Sequence, residues 1–522
     1  MDAMMRDQHV HPAPSLVDSG FPPLEEALPR ALAAFQPLLD ALLTERPAVH
    51  LVGGVVRDAL LARPAPITDL DVALEPPVLP LARRIADRLG WAYFPLDAER
   101  DVARLVHRAP DGRELICDLA ALRGSLAEDL LARDFTVNAL AATLARDGRW
   151  SLVDVCDGVT DLAARRLRRV TEKSLVEDPI RLLRAVRLAG QLGFTIEEAT
   201  AQQIRALAPT VAHTSTERVR DELWKLLAAP APHESVEQAR ALGLLAEVLP
   251  EAADLDGVEQ GPPHHLDVYR HTLLAVAHAA ELRAWLKNAD ADLPAEVEAL
   301  LEPRQAELRA HFAQELAHGH TRADWLVWHA LFHDWGKPYT RSEEAAGDTR
   351  RIRFLGHETV SATLAARRLE ALRFARREVQ VAVRVAEAHM RPHQLSASFP
   401  HGSVSRRAAY RFFRAAAVGR PEDATGLDVL LLALADGLAT GATRTLLWTQ
   451  LVACVGDLLD FFFRRQLAAG PPLVDGRTLM AQLDLTPGPQ VGRLLAAIAE
   501  AQAAGEIADQ EQALALARSL LG

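Results

Sequence analysis

The strongest constraint on the fold is a change of rhythm near residue 160. Before it, short apolar runs of strand length alternate with helical stretches; beyond Ala163 the strand signals nearly vanish. The strand-like runs are AVHLVGG at 48–54, ITDLDVAL at 67–74, DVARLVHRA at 101–109, ELICDLAAL at 114–122 and WSLVDV at 150–155. Helices are predicted over 25–45 and from Val55 to Ala62, so the first 155 or so residues read as an α/β domain. Helices then follow at 179–193, 197–206, 215–228 and 234–246, broken at Pro and Gly. GVEQGPPHH at 257–265 reads as a linker, the acidic stretch 287–316 as a pair of helices with a solvated surface, and 471–522 as a small helical tail. A chain of 522 residues has room for several such domains.

Composition narrows the class. With 49% hydrophobic and 25% charged residues, the chain is a globular one, and few aromatics beside abundant Ala, Leu and Arg favour helix. No uninterrupted apolar stretch reads as long enough to span a bilayer, and no membrane partner is expected. The first twenty residues lack the apolar core of a signal peptide and are expected to form a disordered leader. Cys117, Cys156 and Cys454 have no metal-binding spacing, which suits a reducing cytoplasm. The net charge of −12 weighs only weakly against a nucleic-acid partner, because phosphate contacts need one basic face. RRLRRV at 165–170 is the candidate face, with a solvated basic stripe as the alternative.

Two carboxylates carry the first site. Asp69 and Asp71 are two apart in a strand and so point the same way. Paired carboxylate oxygens suit Mg²⁺, which can activate an attacking hydroxyl and neutralise a leaving pyrophosphate. Gly53-Gly54, where a strand feeds a helix, lets the backbone come close to a triphosphate. Either feature alone is weak; their order, with Arg57-Asp58 between them, is specific.

The run GGVVRDALL followed by DLDV resembles the class II tRNA nucleotidyltransferase (CCA-adding enzyme) and bacterial poly(A) polymerase family. Further blocks resemble it in the same order: EDLLARDFTVNALA at 128–141, VEDPIRLLRAVRLAGQLGF at 176–194 and STERVRDELWKLL at 215–227. The resemblance implies an α+β fold, with a polymerase-β-like nucleotidyltransferase head followed by all-α neck, HD and tail domains. The expected bounds are leader 1–24, head 25–160, neck and RNA-binding domain 161–256, HD domain 257–445 and tail 446–522. It implies Asp69 and Asp71 as catalytic Mg²⁺ ligands, with Asp118 either a third catalytic carboxylate or a surface strand residue. Gly53, Gly54 and Arg57 belong to the nucleotide-binding turn, while Arg133 and Asp134 would meet the incoming nucleotide's phosphate and ribose. Where the family has two arginines this chain has Ala132-Arg133, so one contact is missing or supplied elsewhere. Asn138 reads as a support.

Asp178 before Pro179 is a helix cap on the bland reading. By resemblance, Asp178 and Arg181 read the Watson–Crick edge of CTP or ATP, a carboxylate accepting from the exocyclic amine and a guanidinium donating to ring acceptors. Arg184 and Arg187 continue at spacing three and would meet the triphosphate.

A second cluster follows. An isolated histidine is ordinarily structural, and His278, His320 and His401 are read so. His333-Asp334 followed by WGKP resembles the HD phosphohydrolase family, which implies His271 and Asp436 as further ligands and His357 and His389 for a second metal. Imidazole with carboxylate suits Ni²⁺, Mn²⁺, Zn²⁺ or Fe²⁺ better than Mg²⁺, and Lys337 would steady a phosphate. The substrates so implied are RNA ends with a 2′,3′-cyclic phosphate or a phosphomonoester.

The expected partners are therefore tRNA, CTP and ATP, acting in the cytoplasm on a monomer or homodimer. Only LAALRGSLAEDLLA separates Asp118 from Arg133. Relatives that complete CCA carry a longer loop here, so CC addition is preferred to full CCA addition, and both to A or poly(A) addition. A different class remains open: an RNA end-healing hydrolase whose head only holds RNA.

Overall fold

In the computed structural model the described residues are Leu16, 19–63, 67–262, 264–346, 349–399, 403–420, 423–441, 445–468 and 472–521. Most of the expected leader, and His401, lie outside them. The chain divides into two compact units, Met1–Thr214 and Ser215–Gly522, a break that falls inside the stretch read as the neck.

The first unit is built on a seven-stranded sheet in the order β3-β4-β5-β2-β1-β6-β7. Its strands are β1 Ala48–Val52, β2 Asp69–Leu74, β3 Ala92–Asp97, β4 Val102–Arg108, β5 Glu114–Ala121, β6 Leu140–Ala145 and β7 Trp150–Asp154. β2 and β5 run parallel and the other neighbours antiparallel. Alternation along β2 buries Leu70, Val72 and Leu74 and leaves Asp69 and Asp71 on the open face. Register then sets Asp118 of β5 beside Asp71, and Arg104 of β4 beside Asp118. The pleat alone thus gathers three acids and one arginine on one face.

Several expectations are corrected here. β1 stops at Val52, and Gly54 already begins the Gly54–Leu60 helix. β6, LAATLA, was missed because alanine favours strands weakly; its place between β1 and β7 overrides that preference. β3 was missed too: it contains Pro95, tolerated because β3 is the sheet's edge. The helix expected over 25–45 is split into Leu24–Ala31, a 3₁₀ turn and Gln36–Glu45, since Pro37 cannot donate to the preceding turn. The 234–246 helix is likewise two, parted by Gly243 at φ +76°.

The second unit is helical. Its centre is the Thr425–Ala439 helix, buried along its whole length, with the Val268–Leu286 and Arg322–Phe332 helices packed beside it. Two strand pairs the sequence did not announce lie here among the described residues: a short one of Glu315–Ala317 with His320–Thr321, and a hairpin of Arg341–Ala346 and Thr349–Phe354. The 287–316 stretch is not a solvated appendage: its helices Ala295–Leu301 and Gln305–Phe312 bury Val297, Leu301, Leu308 and Phe312. At the C-terminal end Leu479, Leu494, Ile498 and Ala513 form a small core of their own.

The expectation of no bilayer-length apolar stretch also needs correction. Leu446–Arg464 is long and apolar enough to cross a membrane by length and composition. Within it, however, Asp457 accepts from the Val404 N–H at 2.7 Å and Asp460 pairs with Arg304. Trp448, Leu451, Val455 and Leu458 are buried. Acids bonded in mid-helix beside a buried stripe mark a packing helix of a folded domain.

Candidate active sites

The first unit's site lies where β1 turns into the Gly54–Leu60 helix above the acids of β2. Gly53 has φ +77°, and a Cβ there would stand 3.1 Å from Arg133 Nη1 and 3.7 Å from Asp71 Oδ2. The missing side chain is therefore what leaves room between the guanidinium and the carboxylate. Asp71 is exposed but sits low in the recess. Loss of hydration around the carboxylate there raises its pKa; Arg133 and Arg184 pull it back, Asp118 and Asp69 push it up, and the net shift is upward. A carboxylate that resists its own charge among other carboxylates is a group that gains from a cation, so these residues fit a divalent ion. Asp118 belongs to the cluster, but Arg104 holds it through both oxygens, at 2.8 and 2.9 Å.

Behind the acids runs a chain of hydrogen bonds. Arg57 is buried; it grips Asp58 at 2.9 Å and donates to Asn138, whose amide donates to Asp134 at 3.2 Å. Asp134 also accepts from the Phe135 N–H at 2.7 Å and forms an ion pair with Arg184, whose Nε lies 2.8 Å away. Burial works to raise the Asp134 pKa, but Arg184 and these N–H groups outweigh it and hold the carboxyl below its usual range. Any ribose contact by Asp134 is shared with these bonds.

Arg184 and Arg181 stand on the Ile180–Leu192 helix, so the network links the glycine-turn helix to that one. Arg181 donates to the carbonyls of Ala132 at 3.1 Å and Ser174 at 2.9 Å. Asp178 is half-buried at the start of that helix. Arg187 is buried and donates to Gln191 at 2.8 Å, one turn along its own helix. The basic run 165–170 is less basic than it reads, since Arg166 and Arg168 both pair with the fully buried Asp161.

In the second unit six ligand-type residues meet in the core. His271, His333 and Asp436 bring one ligand atom each within 4.8 Å of one another, and so do Asp334, His357 and His389. The histidine tautomers are set from outside. His333, His357 and His389 donate their Nδ1–H to the carbonyls of Ala330, Phe354 and Ala386 at 2.7–2.8 Å. Their Nε2 atoms therefore face inward. His357 Nε2 and His389 Nε2 lie 3.2 Å apart, two imidazole nitrogens directed at one another. Burial opposes a charge on His333, but Asp334 and Asp436 outweigh it and raise its pKa to about 10; both acids are held well below the carboxylate range. Carboxylates that force a proton onto a buried imidazole, and facing nitrogens beside them, are a donor set that fits one or two cations.

Lys337 Nζ lies 2.6 Å from Asp334 and 2.7 Å from the Gln260 oxygen. Two neighbours were not singled out from sequence. His393 lies 2.9 Å from the second oxygen of Asp436, and His264 packs edge-on to His271 at 4.7 Å between centroids. His393 follows His389 by four in EAHMRPHQL, and that helical spacing was the available signal. His320 bonds Glu378 at 2.7 Å and stacks on Trp224, as a structural histidine does.

Comparisons with known proteins give the family. The chain matches the family models described as "Poly A polymerase head domain" over 49–168, "Probable RNA and SrmB- binding site of polymerase A" over 193–255, and "HD domain" over 306–441. It is 36% identical over 475 residues to the A-adding tRNA nucleotidyltransferase of Deinococcus radiodurans, covering 90% of this chain and 94% of that one. It is 37% identical over 471 residues to the CC-adding tRNA nucleotidyltransferase of Thermus thermophilus, covering 89% and 92%. A CCA-adding enzyme solved with ATP shares its fold at 19% identity, with a TM-score of 0.61 over 96% of this chain and 98% of that one. The chain belongs to the tRNA nucleotidyltransferase and poly(A) polymerase family, as a nucleotidyltransferase of the CCA-adding kind carrying an HD domain.

Proposed function

We propose that this enzyme adds CMP to tRNA 3′ ends, stopping at CC, with release of pyrophosphate. The carrying observation for the stop is the segment between Asp118 and Arg133. It consists of the end of β5, a turn at 122–125 and the Leu126–Leu131 helix, closed by a Ser125–Glu128 capping box. The four residues 122–125 that join strand to helix lie outside regular structure, a segment too short to reshape the pocket from CTP to ATP. Asp69 and Asp71, with Asp118 beside them, would hold Mg²⁺, which when bound lowers the barrier to attack by the 3′-hydroxyl. Arg133 and Arg184 steady the nucleotide's phosphates, Asp134 holds Arg184 in place, and Asp178 and Arg181 read the base. Arg57, Asn138 and Arg187 keep these residues where they are.

The test offers CTP and ATP, separately and together, to tRNAs ending at the discriminator base, at C and at CC. Two cytidines added and no AMP on the CC end is the expected result; labelled ATP appearing on the CC end overturns it. A-only addition is the second reading, favoured by the 36% identity to an A-adding relative along nearly its full length. Extension of the CC end alone would establish it.

The HD site is, in the same proposal, a hydrolase for 2′,3′-cyclic phosphate or phosphomonoester RNA ends. His271, His333, Asp334, His357, His389 and Asp436 would hold one or two transition-metal ions, which when bound polarise a phosphate and acidify water. Lys337 would neutralise a phosphate oxygen. The convergence of inward-facing Nε2 atoms on two buried acids supports this reading.

A further inference from the structure

The hydrolase reading leaves open which phosphate esters the second site takes, and the unannounced hairpin bears on that. A cavity of about 710 Å³ opens from Asp334, Lys337 and His357 outward, and its far wall is residues 350–355 of the hairpin. That volume is of the size that holds a whole small ligand, far more than one phosphate group. The hairpin is physically continuous with the ligand set. The Phe354 carbonyl accepts from His357 Nδ1, and Lys337 Nζ lies 5.6 Å from the Phe354 ring centroid. Gly261, also in the cavity lining, adjoins this wall: a Cβ on it would come 4.0 Å from the Ile352 backbone.

The charge on this wall is lopsided. Among the described residues the two strands carry Arg341, Arg350, Arg351 and Arg353 against Glu343 and Glu344. Glu343 is shared by Arg341 at 2.8 Å and Arg350 at 3.1 Å, and Glu344 pairs with Arg353 at 2.6 Å. Arg351 is exposed, lines the cavity and has no ion-pair partner among the described residues. A strand of arginines at the mouth of a pocket whose floor suits a phosphate has work only if the substrate brings more than one phosphate.

We propose that the Arg341–Ala346/Thr349–Phe354 hairpin grips the RNA backbone upstream of the terminal phosphate, so that the pocket selects polynucleotide 3′ ends over free nucleotides. The proposal rests on the hydrolase reading above, and the experiment separates the two. Arg351→Ala, Arg351→Glu and Arg351→Lys are assayed, metal-loaded, on an oligoribonucleotide ending in a 2′,3′-cyclic phosphate and on 2′,3′-cyclic AMP. Equal melting temperatures confirm that the variants fold.

For the oligonucleotide, kcat/KM should fall by about tenfold in the Ala variant, further in the Glu variant, and recover in the Lys variant. Its salt slope should weaken by about 0.7 for the lost phosphate contact. Hydrolysis of 2′,3′-cyclic AMP should not change. Equal loss on both substrates, or no loss on the oligonucleotide, overturns the grip. If wild type hydrolyses neither substrate while tRNA extension persists, the hydrolase reading fails instead. The grip is then judged by photocrosslinking of a 3′-phosphorylated oligonucleotide with a photoreactive terminal base. Crosslinks to 350–355 that weaken in Arg351→Glu uphold it, and their absence in wild type refutes it.

Discussion

Gly53 does more at the transferase site than its size suggests. Its φ of +77° and the 3.1 Å separation between a Cβ there and Arg133 Nη1 make it a position for glycine on two grounds. Gly53→Ala should cost about 1–2 kcal/mol of stability through the left-handed backbone, read by urea denaturation. It should also raise KM for CTP in steady-state extension by pushing Arg133 aside. Single residues were read unevenly from the sequence. The pair Asp69 and Asp71 was legible because a strand repeats every two residues, and the gathering of the six acid and histidine residues of the second unit was legible through family blocks. The bond of Arg104 to Asp118 was not, because β4 and β5 meet through a register that no local pattern encodes. For the same reason Arg166 and Arg168 read as a free basic face, although Asp161, buried beneath them, answers both.

The Arg322–Phe332 and Thr425–Ala439 helices carry or abut His333, Asp334 and Asp436, and a second buried polar cluster joins them two turns away. There Asp428 takes Arg322 at 2.8 Å and His311 at 2.9 Å. Burial works to raise the Asp428 pKa, but the Arg322 guanidinium and the hydrogen bond with His311 outweigh it and bring it to about 2. His329, fully buried nearby, has no hydrogen bond on either ring nitrogen among the described residues, and burial drives its pKa down to about 4.

The unfolded value is 6.5, so the stability that neutral His329 permits is fully present above that pH and drains as pH falls toward 4. The loss approaches about 3 kcal/mol at the lower end. His329→Leu should flatten the melting temperature's dependence on pH between these values and raise it at the acid end, as followed by circular dichroism. Among elements, long amphipathic helices were the most legible. β6 was hidden by its alanines, and the 341–354 hairpin by charge that masks alternation.

Each of the two compact units holds an acid or acid–histidine cluster of its own. The residues of the first lie between Gly53 and Arg187, within Met1–Thr214, and those of the second between His271 and Asp436, within Ser215–Gly522. The change of rhythm near residue 160 separated sheet from helices correctly, yet the compact units part later, after Thr214. The difference is physical. Secondary structure follows local pattern, whereas a unit boundary follows which helices share a core.

Two self-contained clusters predict two separable chemistries. The most direct measurement is incorporation of labelled CMP into tRNA lacking its CCA end by Asp71→Asn, with cyclic-phosphate hydrolysis followed in the same preparation. Incorporation should fall on the order of 10³-fold while hydrolysis stays at the wild-type rate. Incorporation within tenfold of wild type, or loss of both activities in a protein that melts normally, would contradict the assignment of nucleotide transfer to the β2 carboxylates.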